Sequence, residues 1–165
     1  MILNKSIEET DSFLDINNDI YRIITILNEC QELKKLLVYT DMKPLEREEK
    51  VEKDLRDNQI SRVPVLPYNE DEGSLVVVSF ISGDMDHKTN SIDGSIAIDI
   101  FTPGNQWIIN EGIRPLMIGH TINNLMRKEL KQTGGVKYRL STIVNAQLSD
   151  ILLGYRLIYD VVIND

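Results

Sequence analysis

The chain has 165 residues, of which 42% are hydrophobic and 6% aromatic, and it carries a formal net charge of −8. That length is most simply one domain, which buries roughly 70% of the surface its unfolded chain exposes, with a core that Ile, Leu and Val must carry. The acidic balance, without any Lys/Arg block, excludes free DNA or RNA as the ligand of most of the surface.

Met1–Asp11 is polar, acidic and aperiodic, unlike a signal peptide, and residues 1–18 read as a loose N-terminal arm. No run approaches the about 18 apolar residues of a membrane span. From Asp19 the pattern becomes helical. Ile20, Ile23, Ile24, Leu27, Leu33, Leu36 and Leu37 recur at three- and four-residue spacing, which predicts one helix from Asp19 to Leu37 with its stripe on a sheet. Asn18 or Asp19 can cap it. Cys30 lies inside that pattern as a small apolar residue. Being alone it forms no intrachain disulfide, which fits a reducing cytoplasm.

Residues 41–67 read as a charged insertion. Leu45–Asp57 is dense in Glu, Lys, Arg and Asp, with Pro44 suited to a first helical turn. Glu46 with Lys50 and Glu49 with Lys53 stand four apart, as in an exposed helix. Val63-Pro64-Val65-Leu66-Pro67 must be extended, because proline disfavours helix in the residue before it.

Leu75–Ile81 is almost continuously apolar and predicts a strand covered on both faces or an interior strand. Gly83–Ser91 predicts a polar hairpin loop. Ile92, Ile96, Ile98 and Ile100 then alternate with small or polar residues, which predicts a strand with one buried face. Thr102-Pro103-Gly104-Asn105 is a turn. A helix from about Ile113 to Leu130 places Ile113, Leu116, Met117, Thr121, Leu125 and Met126 on one side. Arg114, Asn123, Arg127 and Lys128 fall on the polar side. Gly134-Gly135 stops it. Val136, Tyr138, Leu140, Thr142 and Val144 alternate in a third strand. Tyr155, Leu157, Tyr159, Val161 and Ile163 share one face of a fourth, whose other face carries the apolar Ile158 and Val162. The expected architecture is α+β: a four-stranded, mainly antiparallel sheet packed against two helices in α-β-β-α-β-β order.

No catalytic constellation appears. Asp84, Asp86, His87 and Asp93 form the densest potential metal cluster, and oxygen-rich clusters bind Ca²⁺ or Mg²⁺. The opening Asp84-Met85-Asp86 is like that of an EF-hand loop, but Lys88 stands where a third ligand belongs and no glycine follows. A plain polar hairpin is the simpler reading. His120 and Cys30 lie on different helices, with no glycine-elbow serine to make a nucleophile. Gly134-Gly135-Val136-Lys137 follows a helix and precedes a strand, the reverse of a phosphate loop. Asp99 could serve a metal-dependent nuclease, yet no Glu-x-Lys follows it and the acidic surface disfavours a DNA substrate. Neither a metal nor a cofactor is expected, nor an enzyme.

The succession Ile96-Ala97-Ile98-Asp99-Ile100-Phe101-Thr102-Pro103, then Trp107 and Arg114-Pro115-Leu116, resembles the strand, turn and helix of tail terminator and head–tail neck (tail completion) proteins of tailed bacteriophages. The leading helix with Ile23-Ile24 and Leu27, and the closing Gly154-Tyr155-Arg156-Leu157, are similar to theirs as well. The likeness covers Asp19 to Asp165 except the charged segment Leu45–Asp57, which departs from a minimal version of that fold. The resemblance implies a structural virion protein at the neck or tail end, assembled in host cytoplasm. It implies a ring, usually hexameric, that ends the tail tube and joins tail to head. Its partners would be further copies of itself, the tail tube protein and a head-completion or connector protein, with no sequence-specific nucleic acid and no membrane. Strand edges and hairpin loops make such contacts. Asp84, Met85, Asp86, His87 and Lys88 of the hairpin, and Ile158 and Val162 of the last strand, are therefore the expected subunit or tail-tube interface. The alternatives are a metal-dependent hydrolase or nuclease using the acidic hairpin, and a small cytoplasmic adaptor.

Overall fold

The computed structural model describes residues 12–49, 59–63, 72–86, 91–128 and 136–163. Helix α1 (Ser12–Glu29) and helix α2 (Gln31–Val38) come first. They replace the single helix expected over Asp19–Leu37. The break falls at Cys30, whose φ of −78° and ψ of 113° are extended. Six residues of unbroken helix would turn Leu33 about 240° away from Leu27. The break re-aims α2, so Leu33, Leu36 and Leu37 join Ile23 and Leu27 in one core. Residues 12–18 belong to α1 and not to an arm, while Met1–Asp11 lies outside the described residues.

The expected helix in the charged segment is not found where the chain is described. Pro44–Glu46 makes a single 3₁₀ turn, Arg47–Glu49 is not helical, and 50–58 lies outside the described residues. Glu46 pairs with Lys43 at 3.1 Å, and Arg47 with Asp41 at 3.0 Å. Both pairs are largely exposed, and such pairs add little stability.

The strands are β1 (Ile60–Ser61), β2 (Leu75–Asp86), β3 (Ser91–Pro103), the short pair β4 (Ile108–Ile109) and β5 (Gly112–Ile113), and, after helix α3 (Arg114–Lys128), β6 (Val136–Gln147) and β7 (Leu152–Ile163). Among the described residues the main sheet has five strands in the order β1-β2-β3-β7-β6, and β4 pairs only with β5. It is mixed, because β1 runs parallel to β2 while the other pairs are antiparallel. The fold is thus α+β as expected, with a fifth strand and a third helix. The two-residue β1 has too little pattern to announce itself. β2 is interior, as its apolar run predicts, and Leu75 to Val78 are all buried. The β2–β3 ladder continues to Asp86 opposite Ser91, so Gly83–Asp86 is strand where a loop was expected.

The helices pack on one face of the sheet. Val76 and Val78, then Ile96, Ile98 and Ile100, then Leu157 and Tyr159 meet Ile118, Ile122 and Met126 of α3 and the leucines of α1 and α2. A smaller cluster of Leu75, Val77, Phe101 and Leu152 forms on the opposite face under Leu148 and Ile151. Burial pushes the Tyr138 and Tyr159 phenols up, so both stay neutral in the core. At Gly154 a Cβ would stand 1.8 Å from the Ile100 carbonyl oxygen, so β7 lies against β3 only because that side chain is missing.

Arg114 fixes α3 to α2. Expected on the polar side of its helix, it is fully buried. Its Nε donates to the Gln106 carbonyl at 2.9 Å and its Nη1 to the Leu36 carbonyl at 3.0 Å and to that of Tyr39. Its Nη2 donates to the Asp41 carbonyl. The Leu36, Tyr39 and Asp41 oxygens cluster at and just past the C-terminus of α2, where the last carbonyls lack helical partners and the dipole favours a cation. Burial pulls the Arg114 pKa down, and the charges of Asp41 and Glu111 oppose that. A guanidinium nevertheless remains charged.

Replacing Arg114 with Met should cost about 3–5 kcal/mol, because buried carbonyls lose their donors. Arg114→Lys should recover little of it, since one ammonium cannot reproduce the planar fork. Urea unfolding measures both. For Asp41, burial alone would raise the carboxyl pKa. The Lys43 backbone N–H, Arg47 and Arg114 outweigh this and set it below 3.8. A depressed carboxylate stabilises above its unfolded pKa and ceases to as pH falls through the folded one. Asp41→Asn should therefore be less stable than wild type at neutral pH, and the gap should close as pH falls through the depressed pKa of Asp41.

Candidate functional site

Helix α3 crosses β7 and β6 and leaves a groove of about 210 Å³ beside the sheet edge. Pro115 and Leu116 line it from α3, Tyr155 and Leu157 from β7, and Leu140 and Ile143 from β6. Gly119 leaves the helix side open, while His120 and Asn123 bring the polar groups. His120 shares a 3.0 Å hydrogen bond with Asn124, and Asn123 accepts from the Tyr159 hydroxyl at 3.4 Å. Trp107 packs near Tyr155 with ring centroids 6.1 Å apart, and its Nε1 donates to the Thr102 carbonyl at 3.0 Å.

A bulge decides which β6 residues face this groove. The β6–β7 register shifts between Leu140 and Thr142, leaving Ser141 as the extra residue. Simple alternation would keep Thr142 and Val144 on the side of Tyr138 and Leu140. Instead Thr142 opposes Ile158 and Ile143 opposes the buried Leu157, so Ile143 turns to the helix side. The Ser141 hydroxyl marks the bulge by donating to the Ile158 carbonyl at 3.2 Å.

The stripe expected on α3 is also rotated. Ile118, Ile122 and Met126 enter the core with Thr121, whereas Leu116 is 46% and Ile113 38% exposed. The cause is Arg114: its buried side chain and Pro115 set which side of the first turn faces inward. Ile143 is 54% and Val144 42% exposed on strand β6. Leu116 and Ile143 line the groove, while Val144 is exposed on the other face of the same strand, at the sheet edge.

The open face of the sheet is more polar. Arg156 clamps Asp99 with two hydrogen bonds of 2.6 and 2.8 Å, and the Asp99 bond raises the Arg156 pKa. Asp99 is thus engaged by a guanidinium, unlike the free carboxylate a nuclease metal requires. Ser95 donates to Asp160 at 3.0 Å. Ile158 is half-buried on this face between Ala97 and Thr142.

The expected interface residues divide as follows. Asp84, Met85 and Asp86 lie on β2 opposite Asp93, Ile92 and Ser91, and their side chains are outside the described part of the molecule. His87 and Lys88 lie outside the described residues, as do Gly134 and Gly135. Val162 opposes Lys137 on β6. Residue-by-residue reading missed the groove. The signal available was the uncharged run Leu140–Leu148, unusual for a strand that ends a sheet. Among the described residues no three His, Cys, Asp or Glu side chains come together to hold a metal. Among them, too, no helix is long and apolar enough to cross a membrane.

Gly119 gives a direct test of the groove. A Cβ there would meet Ile100 Cδ1 at 3.4 Å and Leu157 Cδ1 at 3.8 Å, which is ordinary contact. Gly119→Ala should stabilise the chain by about 0.5–1 kcal/mol through the helix preference of alanine, read as a higher urea midpoint.

Among known proteins, the model of a family described as YomW matches residues 31–161. No curated protein and no solved structure gives a match.

Proposed function

Because the chain belongs to YomW, a phage-associated family, we propose that it is a structural virion protein of a tailed phage. In this reading it forms a homo-oligomeric ring that ends the tail tube and joins tail to head, at the neck or tail end of the particle. Its neighbours are copies of itself, the tail tube protein and a head-completion or connector protein.

The observation that carries the reading is strand β6. Among the described residues it ends the sheet, and it exposes Ile143 and Val144 and borders an apolar groove lined by Leu116. A surface of that kind is made for protein contact, because an unpaired strand edge recruits another strand and apolar rims gain by being covered. The acidic surface supports the reading in a second way: a ring that DNA traverses must not adhere to it. The work done is assembly, in which binding free energy and symmetry replace chemistry.

Purified particles provide the test. Mass spectrometry of virions should find the chain, and particles made without it should have tails of uncontrolled length or heads that lack tails. Normal particles that contain none of this chain would overturn the proposal.

A further inference from the structure

Resting on the reading of β6 as an assembly surface, we propose that its partner is β6 of a second copy. The two strands pair antiparallel across a two-fold axis between Val144 and Asn145, joining two five-stranded sheets into one.

Three observations lead there. The first is position. β6 is twelve residues long and pairs on one side only among the described residues, leaving its outer N–H and C=O groups without a strand. The second is composition. Edge strands are ordinarily blunted by charges or proline. Leu140–Gln147 has neither, nor a glycine, and it exposes Ile143 on the helix side and Val144 on the open face. Apolar residues on both faces mark a strand built for the interior of a sheet. The bulge at Ser141 limits straight pairing to Thr142–Gln147, and the midpoint of that segment places the axis.

The third observation is charge order, and it identifies the occupant. Lys137 and Arg139 precede the uncharged segment and Asp150 follows it. Arg139 and Asp150 are both exposed. Antiparallel pairing about the stated axis brings Arg139 of each copy toward Asp150 of the other, twice by symmetry. Parallel pairing would set the basic ends against each other. Opposite charges across strands favour pairing and like charges oppose it. An isologous contact needs a self-complementary surface of this kind.

The test is self-association of the full chain, followed by light scattering and sedimentation. Wild type should show twice the 18.9 kDa chain mass. Val144→Lys, at an exposed position, should weaken the dimer by about 100-fold or more with an unchanged circular dichroism spectrum. Arg139→Asp and Asp150→Arg should each weaken it about tenfold, and the double variant should recover most of the loss. Arg139→Asp also sets a carboxylate opposite Asp160 within its own chain. The decisive comparison is therefore that variant with the double one, which share this change.

A monomer at all concentrations overturns the dimer, as does an oligomer that Val144→Lys leaves intact or a double variant no better than the singles. These outcomes are separable from failure of the virion assignment. A chain found in particles but monomeric alone sinks only the dimer. A β6 dimer absent from particles sinks only the assignment.

Discussion

One buried cation holds the helical layer in place. The Arg114 guanidinium donates to carbonyls of Leu36, Tyr39 and Asp41 at the end of α2 and to Gln106 just before β4. These carbonyls would otherwise be buried or half-buried acceptors at a helix terminus without helical partners. Because Arg114 is also the first residue of α3, the same side chain sets where α3 starts and how it is rotated. The backbone N–H of Arg114 returns to the Trp107 carbonyl at 2.7 Å, and that of Asn110 to the Met42 carbonyl at 2.8 Å. The β4–β5 hairpin is thereby pinned between α2 and α3. The buried Gln59 side chain does similar work at the other sheet edge, donating to carbonyls of Leu37, Glu72 and Ser74.

The groove follows from that constraint. With Arg114 and Pro115 directed inward, Leu116 must point outward over β6. Gly119 then leaves room above Tyr155 and Leu157. The bulge at Ser141 turns Ile143 toward the same space. A buried hydrogen-bond hub, a missing side chain and one extra strand residue together create an apolar surface that no single segment encodes. This surface lies beside the last strand of the sheet, which is why the functional reading rests on assembly.

Much of the fold was legible because burial repeats along the chain. Ile96, Ile98 and Ile100 at period two and Leu157 with Tyr159 named the buried faces of β3 and β7 correctly. Ile23 and Leu27 did the same for α1. The departures have local causes. Cys30 breaks a pattern that spacing alone carries through, since Leu33, Leu36 and Leu37 continue the three- and four-residue rhythm after the axis has changed. Ser141 shifts β6 by one residue, and in a strand one residue exchanges the faces. Arg114 looked like solvent-facing charge, because sequence periodicity assigns a cation to the outside unless its acceptors are known.

The sequence by itself determined the class of the fold, the interior character of β2, the buried faces of β3 and β7, and the acidic surface. These depend on residue type and on spacing within a segment, which the chain writes down directly. Only the tertiary structure decided that Arg114 is a core residue, that Leu116 and Ile143 share a groove, and that the strand holding the uncharged run Leu140–Gln147 stands at a sheet edge among the described residues. Each of these depends on contacts between segments far apart in the chain. The backbone oxygens that satisfy a buried guanidinium, and the strand order that exposes an edge, have no signature in the residues that use them.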